Sequence, residues 1–144
     1  MMHALSVNYL SILLGAVGAW VFGAIYYTSL SGPWMAAQGK TLEQCKAEQA
    51  AKQGFAKFAP FPTVFVAELI IAFMLYGILI HVGTFTVRSG MISAAACWFG
   101  FVLTTIGVNN MFQGRKFMLT VIDAGAWLGA FLIIGAIVGW MGPK

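Results

Sequence analysis

The sequence predicts an all-α protein, a four-transmembrane-helix bundle with a short amphipathic interfacial helix between spans 1 and 2. Three observations lead there. Hydrophobic residues make up 60% of the 144 and charged residues only 8%, against about a quarter charged in ordinary soluble domains. Four apolar runs, about 8–27, 63–82, 91–110 and 117–140, each approach the roughly 20 residues needed to cross about 30 Å of hydrocarbon. Between the first two runs lies the one long polar connection, with a helix signature over about 42–53. One integral-membrane domain, 1–144, uses the whole length.

The first run reads as a retained span rather than a cleaved leader, because no Lys or Arg precedes it and no Ala-x-Ala site follows it. Ser11, Gly15, Ala19 and Gly23 recur in it at four-residue spacing, which aligns small side chains on one helix face and lets another backbone approach. Tyr26, Tyr27 and Trp34 follow where an aromatic belt belongs, rings in the acyl boundary and polar edges among headgroups. Thr41 with Gln44 makes a capping box, Glu48 stands one turn before Lys52, and Gly54 supplies a stop. Phe55, Phe58 and Phe61 then recur every third residue around Lys57, as suits a stretch lying in the interface. Pro62 suits the first turn of the second span.

The third span repeats the small spacing at Ala96, Gly100 and Thr104, and it holds Trp98 deep enough that its indole N–H wants an acceptor. The fourth carries Gly125 with Gly129 and Gly135 with Gly139. These seams serve packing within one bundle or between subunits equally well.

Polar chemistry concentrates in Asn109-Asn110-Met111-Phe112-Gln113-Gly114-Arg115-Lys116, a tight hairpin between two apolar runs, and in Asp123 just beyond it. Glu68 and Asp123 are the only acids within the four runs. Each lies five or six residues inside the same face of the membrane, roughly 8 to 9 Å deep at 1.5 Å per residue. Thr104 and Thr105 fall near that depth, with Asn109, Asn110, Tyr27 and Arg115 nearer the mouth, so the candidate site is a polar vestibule open to one side. Two readings of the acids stand. Helix dipoles and pairing with Arg115, Lys116 or Lys57 explain them structurally; alternatively, acids inside a span, costly as they are, mark a binding or conduction site.

The net charge of +4 belongs to loops that set orientation and touch anionic lipid, so the bilayer and not nucleic acid is the expected partner. Cys45 and Cys97 form no Cys-x-x-Cys and fall in different layers. His3 and His81 on one surface, without a carboxylate, make a poor metal site. Hydrolytic, phosphoryl-transfer and metalloenzyme classes find no motif, and no cofactor is expected. Two functions remain: a non-enzymatic subunit or scaffold of a membrane assembly, homo-oligomeric or heteromeric, and a small carrier or small-molecule or lipid-binding protein built on the vestibule.

The chain resembles the domain of unknown function 1761 family, uncharacterised bacterial multipass membrane proteins. The resemblance is carried by Asn8-Tyr9-Leu10, Gly23-Ala24-Ile25-Tyr26-Tyr27, Trp34-Met35, Asn109 through Arg115 and Ile122-Asp123-Ala124-Gly125. It implies four spans in a bacterial cytoplasmic (inner) membrane and no activity. In that family the hairpin more often reads Phe-Glu-Gly-Arg, and the later position often holds an amide followed by Gly-Tyr; Gln113, Asp123 and Ala126 depart from it. A family site built on a neutral amide would make any proton-coupled role of Asp123 peculiar to this member.

Lys40, Lys46, Lys52, Lys57, Arg115 and Lys116 fall on one side of the membrane, Arg88 and Lys144 on the other, so both termini are expected outside. With the native cysteines replaced, an impermeant maleimide added to intact cells should label Lys144→Cys and spare Lys46→Cys. The reverse pattern inverts the orientation.

Overall fold

The computed structural model describes residues 6–144, so His3 lies outside the described residues. Every regular element among them is helical: α1 (Tyr9–Ser29), α2 (Ser31–Ala37), α3 (Leu42–Ala51), the single turn α4 (Phe55–Phe58) and α5 (Pro60–Val82). A third long helix runs from Val87 to Phe112 as α6 (Val87–Cys97), a π-helical segment (Trp98–Leu103) and α7 (Thr104–Phe112). The last is α8 (Phe117–Met141). Four of these helices, α1, α5, the composite third and α8, are long and apolar enough to cross a membrane.

Local chemistry sets the ends. Asn8 caps α1 by accepting from the Ser11 amide at 3.3 Å, and Thr41 with Gln44 closes a complete capping box on α3. The third span starts at Val87, four residues before the start expected from hydropathy, because Thr86 and Ser89 form a second such box. The second span starts at Pro60 instead of residue 63, with proline in its first turn; proline lacks the N–H that would go unpaired there. Glu68 therefore stands about 12 Å along its helix, counting eight residues at 1.5 Å each. The hairpin between α7 and α8 closes as a Schellman turn. Gly114 has φ 64°, its amide bonds Met111 O at 3.1 Å, and the Arg115 amide reaches back to Asn110 O at 2.9 Å.

One expected pair is replaced. Glu48 bonds Lys40 at 2.8 Å and not Lys52, because α3 ends at Ala51 and Lys52 is extended (ψ 134°), while the turn at Gly39, φ 72°, brings Lys40 alongside.

The bundle is built around α8, which packs against α1, α5 and α6 and buries residues on several faces, among them Phe131, Ile134 and Val138. Ala72, Leu75, Tyr76 and Leu79 of α5 join them, with Ile12 and Ala19 of α1. On α1, Ser11, Gly15 and Ala19 face inward, and a methyl on Gly15 would rest 3.6 Å from the Ile134 backbone. Gly125 and Gly129 leave room for the Tyr26 hydroxyl and the Phe22 ring.

On the third span the packed face is Gly90 and Ala94; Ala96, Gly100 and Thr104 are exposed. Both sets obey the four-residue spacing, so spacing alone could not choose. The choice is made by backbone contact. A Cβ on Gly90 would collide with the Gly135 carbonyl oxygen, one on Gly139 with that of Thr86, and one on Gly135 with that of Gly90. Such an approach is open only to glycine, and in lipid it supplies the close packing that drives helix association.

The termini meet at the Gly83–Thr86 end. Ser6 Oγ donates to Lys144 O at 2.5 Å, and buried Asn8 donates through Nδ2 to Gly142 O at 3.0 Å. The Tyr76 hydroxyl receives the Asn8 amide at 3.1 Å.

Gly90→Ala should lower the stability of the detergent-solubilised protein by about 1 to 3 kcal/mol, the usual cost of overpacking. Gly107→Ala, whose Cβ meets nothing within 4 Å, should leave it unchanged or raise it by up to about 1 kcal/mol. Thermal unfolding of both variants checks the seam; equal midpoints would remove it.

Candidate functional site

Cys97, Trp98 and Val102 still pack against the core, but beyond the π segment the third span stays against α8 and draws away from α1 and α5. No residue of α7 is buried, and Met111 and Phe112 are 81% and 89% exposed. Its substantial packing is on α8 and the preceding π segment. Between α7 and the other three spans lies an open cavity of about 490 Å³, within the roughly 300–1,000 Å³ of small-molecule sites.

This cavity gathers most of the expected cluster: Tyr27, Glu68, Asn109, Asn110, Arg115 and Asp123 all line it. Gly23 opens onto it as well, and a methyl added there would have nothing within 4 Å, so the fourth member of the α1 small-residue row borders space and not a partner helix. Thr104 and Thr105 do not line it. Their hydroxyls donate to their own helix, to Gly100 O at 2.9 Å and Phe101 O at 2.5 Å, and both are exposed.

Asp123 is held without any cation. Its Oδ1 accepts from the Tyr27 hydroxyl at 2.8 Å and from Trp34 Nε1 at 3.2 Å. Arg115 instead donates through Nε to Gln113 at 2.8 Å, and the Lys116 ammonium reaches the Ala36 carbonyl at 3.4 Å. The sole ion pair among the described residues is Lys40–Glu48, so pairing of Asp123 with Arg115, Lys116 or Lys57 is not what the fold does. The reason is geometric: α2 folds back onto the start of α8, burying Ala37 with Leu119 and Ile122, and this carries Trp34 to the carboxylate. Tyr26 donates to Ile122 O at 2.8 Å and secures the same corner. Aromatic residues whose positions suit a membrane belt thus act as hydrogen-bond donors to an acid.

Glu68 is the opposite case. It is 2% exposed, its Oε2 has no hydrogen-bond partner, and it borders the cavity. Asn110 crosses the hairpin to Thr120 Oγ1 at 3.1 Å, fixing one amide of the rim. Gln113 of the polar hairpin lines it as well, and so do Trp127 and Ile106, which sequence reasoning did not place in the site. Their signal was available only as helical phase: Trp127 stands one turn after Asp123, and Ile106 three residues before Asn109.

Trp98 finds the acceptor it requires in Ala124 O, at 2.8 Å, where the π segment begins. π turns inside α-helices are uncommon and recur at functional sites; this one stands where the third span parts from its neighbours.

The fold and the cavity together define a four-span helical membrane protein with a polar pocket set between its spans. Within that class the chain belongs to the family described as protein of unknown function (DUF1761), whose sequence pattern matches residues 10–139. No curated protein and no solved structure matches it.

Tyr27→Phe should destabilise the protein by about 1.5 to 3 kcal/mol, the range for a hydrogen bond to a charged group. A double-mutant cycle of Tyr27→Phe with Asp123→Asn should show coupling, and one of Arg115→Gln with Asp123→Asn should be additive within about 0.5 kcal/mol. Coupling found only in the second cycle would restore the ion pair.

Proposed function

We propose that this protein is a small-molecule-binding protein of carrier type in a bacterial cytoplasmic membrane, taking its ligand into the cavity bounded by α1, α5, α7 and α8. One observation carries the reading: Glu68 is buried with an unpartnered carboxylate oxygen beside open space. A purely structural acid would have a donor, as Asp123 has, since an unpartnered buried charge costs several kcal/mol by general reckoning. Acids kept inside a span at that cost mark sites and pathways. The excess of Lys and Arg at the hairpin end supports a cytoplasmic mouth and external termini.

The subunit reading keeps one observation in its favour. Ala96 and Gly100 line the outside of the third span, exposed among the described residues, as a helix from a second copy or another protein requires. A homo-oligomer would also serve a carrier, because four spans alone enclose no path.

The test is native mass spectrometry of protein extracted from its own membrane, wild type beside Gly23→Leu. Gly23 lines the cavity and a Cβ there meets nothing within 4 Å, while leucine favours the helix over glycine, so the variant should fold with its side chain in cavity space. A small-molecule adduct on wild type that the variant lacks is the expected result. A recurrent heteromeric mass, with no adduct on either protein, replaces the binding reading by the subunit one.

A further inference from the structure

We infer that the cavity takes a small organic cation whose ammonium group seats against Glu68; this deepens the binding reading above and rests on it.

The argument begins with charge. Glu68 and Asp123 bring two carboxyl groups to the cavity wall, and Arg115 is the one basic side chain among the described residues that lines it. Arg115 belongs to the hairpin beyond the end of α7, and its Nε is committed to Gln113. Asp123 is stabilised by a phenol and an indole, neutral donors that leave its charge uncancelled. The wall therefore holds more acidic groups than basic ones, with the unpartnered oxygen of Glu68 set about 12 Å along α5 from its first residue, at 1.5 Å per residue, where an arriving cation would favour the carboxylate form. No Lys, Arg or His stands within the second, third or fourth apolar run at that level. Among the described residues no donor reaches Glu68 Oε2, and in this proposal the ligand supplies it.

Size and lining then narrow the cation. A space of about 490 Å³ far exceeds a bare ion and matches small-molecule sites. Tyr27 and Trp127 contribute aromatic surface, which attracts ammonium groups more strongly when water is excluded. Asn109 and Asn110 offer amide groups near the rim for the polar remainder of such a ligand. An anion meets two carboxyl groups and a single cation; a neutral donor could bond Glu68 as Tyr27 and Trp34 bond Asp123, but a cationic donor makes the stronger, charge-assisted bond.

The test is saturation-transfer difference NMR on the protein in nanodiscs of deuterated zwitterionic lipid, with three probes of one shape: butylammonium, 1-butanol and butyrate. Wild type should transfer saturation to butylammonium several-fold more strongly than to the other two. Glu68→Gln, which keeps the shape and removes the charge, should weaken butylammonium about tenfold or more, as loss of a charge-assisted contact implies. Gly23→Leu should block it without changing Glu68, and Lys46→Gln, on α3 outside the cavity lining, should preserve it. Equal transfer to all three probes, or transfer to butylammonium that survives Glu68→Gln, overturns the assignment. Transfer to butyrate or butanol that exceeds transfer to butylammonium and that Gly23→Leu abolishes also overturns it, while leaving a binding cavity in place. Silence of butylammonium on wild type removes the cation; the adduct measured by native mass spectrometry then judges ligand binding separately.

Discussion

The contact on which the arrangement depends is backbone against backbone: Gly90 on Gly135, and Gly139 on the Thr86 carbonyl. In hydrocarbon the helices gain nothing from hiding apolar surface, so association rests on how closely they can approach. These glycines fix α6 to α8 at the end of the molecule where the termini also meet. Ser6 with Lys144 and Asn8 with Gly142 close that end further. The bundle is tight there, and because the hairpin ties α7 to α8 alone, the third span is free to stand away from α1 and α5 at the opposite end. The cavity follows from a helix held firmly at one end and by a short turn at the other.

Two carboxylates border that space in contrasting states. Asp123 receives two donors from α1 and α2, which gives the acid a task in the fold: it gathers the amphipathic corner of Tyr27 and Trp34 onto the start of α8. Trp34 and Tyr27 also meet edge to face, ring centroids 5.6 Å apart, so the corner is packed as well as bonded. Glu68 has no such task. The proposed binding role rests on this contrast: Asp123 has two aromatic donors and Glu68 Oε2 has none. This difference, and not the mere presence of acids in a span, separates a site from a structural pair.

The departure of Asp123 and Gln113 from the common family pattern acquires a physical meaning here. Gln113 receives the Arg115 Nε–H in the hairpin, where an acid would pair with that arginine as a salt bridge. Asp123 draws hydrogen bonds from neutral groups, which an amide oxygen at the same position could also accept, with less strength. The corner can therefore be built in either version, and what differs is where the acid stands, at position 123 in this chain instead of at position 113 in the hairpin, since both positions line the cavity.

The sequence by itself determined the four spans, the capped surface helix, the hairpin and the gathering of Glu68, Asp123, Asn109, Asn110, Tyr27 and Arg115 at one end. Each of these follows from local rules, hydropathy length, cap residues and depth along a helix, that act within one element. It did not determine which of two small-residue rows on the third span would pack, nor that Thr104 and Thr105 would turn back onto their own helix, nor that Trp34 would reach Asp123 before any cation did. Those outcomes are relations between helices. Ala96–Gly100 and Gly90–Ala94 have the same spacing, and only the position of the Gly135 and Gly139 backbone distinguishes them. The partner of Asp123 was decided by the path of α2, which no periodicity encodes, and the solitude of Glu68 by the absence of a helix where α7 swings outward. A helix phase can be read from one stretch of sequence; what stands opposite it is fixed only when the helices have packed.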